Sequence, residues 1–248
     1  MSTIKSETRW TFSICLLYVL IFLNSCTPQQ LRPESSCGFV QDEHRQRISW
    51  KQQFPIPIFV ESQFPKEYRP AIAAAAEVWE SALGSPLFEI HQLEEGSELH
   101  QDNQSIIYWS TRWNNDSREE QGQTKLYTQG PQIIESDIKI NASAKDFEFY
   151  LKSPQENLRK SSSELNLENS NSVLAESSNE LPKIHLVSLL VHELGHFLGF
   201  DHNQDNESVM KERLAPEEER VKLSEQDLQH LHCVYGGIVS TNSNKKGK

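Results

Sequence analysis

The chain has 248 residues, of which 36% are hydrophobic, so it can form one domain with a well-buried core and short appendages. Its 35 acidic residues outnumber its 24 basic residues, which gives a formal net charge of −11. The only basic cluster outside the predicted core is Lys245, Lys246 and Lys248 at the tail. This balance argues against a nucleic-acid-binding protein and fits a solvated acidic surface.

The first 25 residues are typical of a targeting segment. Lys5 and Arg9 precede an apolar run over residues 10–23, which is too short for a comfortable membrane span. The run ends in Leu-Asn-Ser-Cys, which resembles a bacterial lipobox and implies cleavage before Cys26 and lipid attachment to its sulfur. Asn24 is not the most favoured residue at its position, and an ordinary secretory signal or an uncleaved anchor is the alternative. Lipidation would place the protein at a bacterial cell envelope, on the outer membrane or cell surface; otherwise it would be secreted.

A short tether is predicted over residues 26–36, which contain prolines, glutamines and serines. The folded domain is expected over residues 37–237, followed by a disordered tail over 238–248. Cys37 and Cys233 lie near the two ends of this domain. In an oxidising envelope such an even pair favours a disulfide.

The first half of the domain predicts strands on both sides of one amphipathic helix. Prolines limit the strand segments at residues 48–50 and 57–60, and a further strand is predicted over 87–90. Between them, the alanine-rich segment 71–83 has helical periodicity. Its apolar face consists of Ile72, Ala75, Ala76, Trp79 and Leu83, with Pro70 in the first turn and Gly84 as the C-terminal cap.

Further strands are predicted over residues 105–109 and, more weakly, over 125–127. The segment 138–141 follows Asp137 and alternates cleanly between apolar and polar residues. Residues 152–182 are mostly Ser, Asn, Glu, Gln and Lys, which bury little apolar surface, so this segment is predicted to be a flexible insertion.

Two helices are predicted in the last third of the domain. The first begins near residues 182–184 and ends at Gly199. The second begins after Ser224, a favourable N-cap residue with acidic residues in the turn that follows it.

The first of these helices contains the pattern H-E-x-x-H-x-x-G-x-x-H. Residues four apart lie on one helix face, so His192 and His196 can bind one zinc ion, with Glu193 beside them to handle a water molecule. Gly199 can adopt positive φ and turn the chain back, which brings His202 within reach as a third ligand. Three protein ligands leave a fourth position open, as in catalytic zinc sites. The alternative, incidental polar residues in a buried helix, would be costly without partners.

This pattern resembles the zinc signature of the metzincin metallopeptidases. Members of that superfamily have a methionine turn beneath the metal, and Met210, after Ser208 and Val209, follows at a suitable distance. Glu212 stands where some metzincin families have a tyrosine ligand, which indicates the matrixin-like branch. Over roughly residues 47–236 the resemblance implies an α+β fold with a mixed, twisted β-sheet, two long helices, the zinc helix below the cleft and a C-terminal helix after the methionine turn.

The same resemblance implies a peptide-binding cleft. The residues expected along it as an edge strand, with which the substrate pairs as an added antiparallel strand, are Asp137, Ile138, Lys139 and Ile140. An ordinary amphipathic strand is the alternative. Residues 214–216 are expected in the wall of the specificity pocket, although they depart from the family's usual Tyr-Pro sequence.

A latency switch is the alternative to the disulfide. Cys37–Gly38 is similar to the Cys-Gly of matrixin propeptides, in which the cysteine binds the zinc. Residues 39–41 depart from the rest of that motif.

No clear motif supports the structural calcium or second zinc sites of the family. His91 and His100 are expected to be isolated surface histidines. His185 is expected to lie partly exposed in the first turn of the zinc helix, with a role beside the metal ligands as the alternative.

The resemblance therefore implies a zinc-dependent endopeptidase that acts on proteins or peptides. We expect it to be a monomer, and the lipobox-like sequence implies that its lipid holds it to a membrane. Glu193 would first take a proton from water and then deliver it to the leaving amine. The alternatives are a lipid-anchored binding module that keeps the fold without turnover and a zinc amidase that acts on cell-wall peptides.

Overall fold

The computed structural model describes residues 37–51, 54–93, 103–113, 117, 119–143, 145–151 and 181–237. The predicted targeting segment, Cys26, the tether, His100, residues 152–180 of the predicted insertion and the predicted tail lie outside these ranges. None of the helices in the described part has the length and hydropathy of a membrane span.

A six-stranded mixed sheet organises the fold. Its spatial order is β3-β2-β4-β6-β5, and β1 pairs with the start of β6 on the same side as β4. All pairings are parallel except that of β5 with β6. The strands are β1 (Ser49–Trp50), β2 (Ile56–Val60), β3 (Phe88–Gln92), β4 (Ile106–Ser110), β5 (Gly122–Gln129) and β6 (Gln132–Asn141).

A second, two-stranded parallel sheet precedes the metal-site helix. It consists of β7 (Glu148–Tyr150) and β8 (Lys183–His185). The described helices are α1 (Arg69–Leu83), α2 (Leu186–Phe197) and α3 (Glu225–Tyr235). These helices have 15, 12 and 11 residues. They are similar in length, whereas the resemblance implied two long helices.

Helix α1 closely follows its predicted pattern. Its apolar face, from Ile72 to Leu83, is buried as predicted, and Gly84 ends the helix at φ 71°. The Glu80 carboxylate accepts hydrogen bonds from the backbone N–H groups of Leu87 and Phe88, at 2.8 and 3.0 Å. This contact satisfies backbone donors just after the helix and fixes the chain where it enters β3.

Helix α2 lies against α1, β5 and β6. The buried Trp79 of α1 donates its indole N–H to the carbonyl of Val191, at 2.9 Å. From β1, Trp50 donates likewise to the carbonyl of Phe197, at 2.7 Å. Both indoles therefore combine apolar packing with a satisfied polar group, and they hold the helix that carries the candidate metal ligands.

The prediction of an edge strand at Asp137–Ile140 is wrong. Over Ile138–Ile140, β6 pairs with β4 on one side and with β5 on the other, so its backbone groups are already paired. Asp137, Ile138 and Ile140 are all buried. The strand at this end of the sheet is instead β5, whose polar sequence is typical of an exposed edge.

Helix α2 begins later than predicted. Residues 183–185 pair with β7, so the helix starts at Leu186 and His185 becomes its N-cap residue. His185 is buried rather than partly exposed. Its ring nitrogens lie 2.8 Å from Ser188 Oγ and 3.3 Å from the carbonyl oxygen of Leu151.

The two ends of the described chain are linked. Cys37 and Cys233 form a disulfide that joins the first described segment to α3, so the Cys37 sulfur is not at the metal site. Phe39 forms an antiparallel bridge with Phe200, and Val40 N–H donates to the carbonyl of Gly199, at 2.9 Å. The initial segment therefore pairs with the stretch that leads to His202.

Candidate metal centre and active-site cleft

Three histidine side chains converge at the C-terminal end of α2. His196 Nε2 lies 3.1 Å from His192 Nε2 and 3.1 Å from His202 Nε2. The first two histidines are one helical turn apart. Gly199 then reverses the chain at φ 99°, and a Cβ at this position would lie 2.4 Å from the carbonyl oxygen of Ile48. The turn to His202 therefore depends on glycine for both its backbone angle and its close packing.

The tautomers of two histidines follow from their backbone partners. His192 Nδ1 lies 2.8 Å from the carbonyl oxygen of Val209, and His196 Nδ1 lies 2.8 Å from that of Phe200. A carbonyl only accepts hydrogen bonds, so each Nδ1 carries the proton and each Nε2 carries a lone pair. Such carbonyl contacts orient histidine ligands in metal sites.

This donor set fits a zinc ion. Nε2 lone pairs that face each other repel unless a cation lies between them. Zinc–nitrogen bonds of about 2.0–2.1 Å at a tetrahedral centre separate the nitrogen atoms by about 3.3 Å, close to the spacing observed here. Burial also lowers the pKa of His192 to about 3 and that of His196 to about 4, so both imidazoles are neutral at pH 7. Neutral imidazole is the form that binds metals.

The Met210 side chain is buried against α2. A Cβ at Gly195 would lie 2.2 Å from Met210 Sδ, so the helix and the methionine can pack this closely only because residue 195 is glycine. The turn that carries Met210 is held by Asp227 of α3. Its carboxylate accepts from Ser208 Oγ at 2.5 Å and from Val209 N–H at 3.0 Å. Since the Val209 carbonyl orients His192, α3 contributes to the metal site without touching it.

Glu193 is buried beside the histidines. Its Oε2 accepts a hydrogen bond from Thr124 Oγ1 at 2.6 Å, and a Cβ at Gly122 would lie 2.5 Å from its Oε1. Burial raises the pKa of this carboxyl to about 7, and the Thr124 hydrogen bond acts in the opposite direction. A carboxyl that titrates near neutrality can both accept and return a proton at physiological pH. The sequence carried no motif at Gly122 or Thr124, so their role was not predicted.

The histidines and Glu193 open onto a cleft with a volume of about 910 Å³. One wall is formed by residues 119–124 and Leu126, in and before β5. The opposite wall contains residues 211–216, so the segment 214–216, which was expected in the wall of the specificity pocket, lines the cleft. Among the described strands, β5 pairs only with β6, so its other edge is available on the cleft side.

Arg220 organises the second wall. Its guanidinium pairs with Glu218 Oε1 at 2.5 Å and donates to the carbonyls of Lys211 and Arg213, at 3.4 and 3.3 Å. Its backbone N–H donates to Ser188 Oγ, at 2.6 Å. These contacts tie the wall to α2. Arg220 belongs to no recognisable motif, so its role could not be predicted from the sequence.

His91, which was expected to be an isolated surface histidine, is half-buried. Its ring stacks on Phe59, and its Nε2 lies 3.7 Å from Glu89 Oε1. Across the described ranges, the three clustered histidines are the one group of three or more His, Cys, Asp or Glu side chains suited to a metal ion.

Comparison with known proteins places the chain in a family. The matrixin family model matches residues 59–236, from within β2 through the end of α3. No curated protein matches the chain. The family match covers more than half of the sequence and includes the three histidines, Glu193 and Met210. The chain therefore belongs to the matrixin family of zinc metallopeptidases.

Proposed function

We propose that the protein is an endopeptidase that uses one zinc ion, bound by His192, His196 and His202, to hydrolyse peptide bonds in proteins or peptides. The observation that carries this proposal is the buried Glu193 carboxylate beside three converging Nε2 atoms in an open cleft. A structural zinc site has no need of an adjacent carboxyl that titrates near neutrality.

Each residue has a distinct task in this mechanism. When bound, zinc would lower the pKa of a water molecule and polarise the scissile carbonyl. Glu193 takes the proton from the attacking water and then delivers it to the leaving amine. The Thr124 hydroxyl holds one carboxylate oxygen in place, which limits the orientations of the base. Met210 packs beneath the site and binds no metal.

The substrate would pair with the edge of β5 as an added antiparallel strand. The substrate-pairing strand in this proposal is β5 and not the predicted Asp137–Ile140 segment, because β5 lines the cleft and β6 does not. The side chain after the scissile bond would enter the space beside His192, which is bounded by Leu189, Val209 and Leu214.

The test of the mechanism is a digest of a peptide library by the zinc-loaded protein. We expect cleavage that a chelator abolishes and added zinc restores. Glu193→Gln should retain zinc but lose about 10²–10⁴-fold in kcat/KM, since it removes the proton carrier alone. Glu225→Gln, an exposed acid in α3, is the matched control.

Three outcomes would contradict this function. Full activity of Glu193→Gln would exclude the mechanism. Hydrolysis of peptidoglycan with no cleavage of peptides would favour the cell-wall amidase. Tight binding of peptides without any turnover would favour the binding module.

We also propose that the protein is a monomer anchored by lipid on Cys26 at a bacterial cell envelope. The lipobox-like Leu-Asn-Ser-Cys sequence after a short apolar run supports the anchor. Cys26→Ala should move the protein from the membrane fraction to the soluble fraction. Membrane association of a Cys26→Ala protein from which residues 1–25 have been removed would show that a lipid on this residue is not the anchor.

A further inference from the structure

Two contacts join the opposite walls of the cleft. Gln121 Nε2 donates to the carbonyl oxygen of Leu214, at 2.8 Å, and Arg213 Nη1 lies 3.7 Å from Glu119 Oε2. All four residues line the cleft. We call these two contacts the cross-cleft bridge. The ion pair is highly exposed and contributes little, so the Gln121 hydrogen bond is its main component.

Both ends of this hydrogen bond are anchored. The Gln121 carbonyl accepts from Asn141 N–H at 2.9 Å, and Asn141 Nδ2 donates to the carbonyl of Glu120 at 2.9 Å. Asn141 is fully buried at the end of β6, so its two hydrogen bonds hold the backbone that carries the Gln121 side chain. Leu214 lies in the wall that Arg220 ties to α2. The bridge is therefore part of an ordered structure at both ends.

The position of Glu193 shows which half of the cleft is bridged. In the proposed function, on which this inference rests, Glu193 delivers a proton to the leaving amine. Its carboxylate lies against Gly122, the residue next to Gln121. A substrate strand antiparallel to β5 also runs towards the beginning of β5. The C-terminal half of the substrate, which becomes the leaving group, therefore extends towards the bridge.

We propose that the cross-cleft bridge slows this endopeptidase on bonds that are followed by more than about two residues, so that it prefers bonds near the C-terminal end of a chain. A strand advances about 3.3 Å per residue, and Gln121 is only one residue beyond the glycine that contacts Glu193. A longer leaving segment has to displace the Gln121 amide from Leu214 before it can lie along the wall. Gln121 is thus a specificity-determining residue.

The test is a series of quenched peptides that share the sequence before the scissile bond and have one to five residues after it. For the zinc-loaded full chain, we expect kcat/KM to fall at least about tenfold between two and four residues. Gln121→Ala should restore kcat/KM for the long peptides to within about threefold of that for the short ones. Gln229→Ala, an exposed glutamine on α3, should keep the parent's dependence on length.

The length series of the unaltered protein tests the inference even if Gln121→Ala folds poorly, which a thermal melt will reveal. A kcat/KM independent of length would overturn it. An equal loss on all peptides in a folded Gln121→Ala variant would also overturn it, because Gln121 would then only support the wall. If the zinc-loaded parent cleaves no peptide of any length, the proposed function fails and the inference fails with it.

Discussion

At the scale of single residues, the site works through pairs in which one partner sets the protonation or orientation of the other. The Val209 and Phe200 carbonyls fix the tautomers of His192 and His196. The Thr124 hydroxyl donates a hydrogen bond to the Glu193 carboxylate and thereby fixes its orientation. Each of these partners lies outside the H-E-x-x-H pattern, so the chemistry of that pattern depends on the fold around it.

Thr124→Val tests the contact between Thr124 and Glu193, the proposed general base. The hydroxyl stabilises the Glu193 carboxylate, so its loss should raise the pKa of Glu193. In the proposed mechanism Glu193 acts as a base only when it is deprotonated, so the acidic limb of the pH profile of kcat/KM should move to higher pH. A shift of about one unit is expected, since a hydrogen bond to a charged group is worth about 1.5–3 kcal/mol.

The control for this shift is Thr128→Val, at an exposed position of the same strand. It should leave the acidic limb where it is. A Thr124→Val enzyme with the parent's pH profile would show that the Thr124 hydroxyl does not act on the base.

At the scale of elements, α3 is coupled to the metal site through one carboxylate. Asp227 forms a capping box with Ser224, and the same side chain holds the turn at Ser208 and Val209. The end of one helix and the support of a metal ligand on another are thus one hydrogen-bond network.

Asp227→Ala should lower the free energy of unfolding by about 2–3 kcal/mol, because it removes a cap and leaves buried donors without an acceptor. Zinc affinity should fall about 10–100-fold, since the carbonyl that orients His192 loses its support. Urea unfolding and a competitive zinc titration measure the two effects. Glu225→Ala removes only an exposed charge from the same helix end and should cost about 0.3–1 kcal/mol. Equal losses of unfolding free energy in Asp227→Ala and Glu225→Ala would contradict the role of Asp227.

The sequence predicted correctly those features that depend on residues close together in the chain. The face of α1, the cap at Gly84 and the cap at Ser224 each depend on neighbours within a few residues. The three histidines were also predicted, because one helical turn and one glycine reversal bring them together. The convergence needed no information from distant parts of the chain.

Non-local pairings could not be predicted in this way. The choice between an edge and an interior position for β6 depends on which strands lie beside it, and the polar β5 gave only a weak strand pattern. Thr124 and Glu193 are 69 residues apart in sequence and meet only through the packing of β5 on α2. The contact between Gly195 and Met210 likewise appears only in three dimensions.

At the scale of the whole molecule, the disulfide closes the described domain. Cys37 and Cys233 are 196 residues apart, and the segment after Cys37 pairs with the residues just before His202. The Asp201 N–H donates to the Gly38 carbonyl at 2.8 Å. The disulfide at the ends of the described domain is therefore connected, through residues 38–40, to the segment that carries the third candidate ligand.

The double variant Cys37→Ser/Cys233→Ser should be less stable by about 2–5 kcal/mol, since it removes the cross-link from a long loop of the unfolded chain. Its thermal midpoint should not respond to a reducing agent, whereas that of the parent should fall under the same treatment. A parent midpoint that is unchanged by full reduction, verified by thiol titration, would show that the disulfide does not stabilise the fold.

The tie between Asp227 and the Met210 turn has a consequence for the order in which the metal site is completed during biosynthesis. Ribosomes make proteins from the N-terminus, so Asp227 is translated after every candidate ligand and after Glu193. A nascent chain that already contains His192 still lacks the group that holds the Val209 carbonyl against it. The orientation of His192 by the Val209 carbonyl is therefore expected to be complete only after α3 has been translated, late in the synthesis of the described domain.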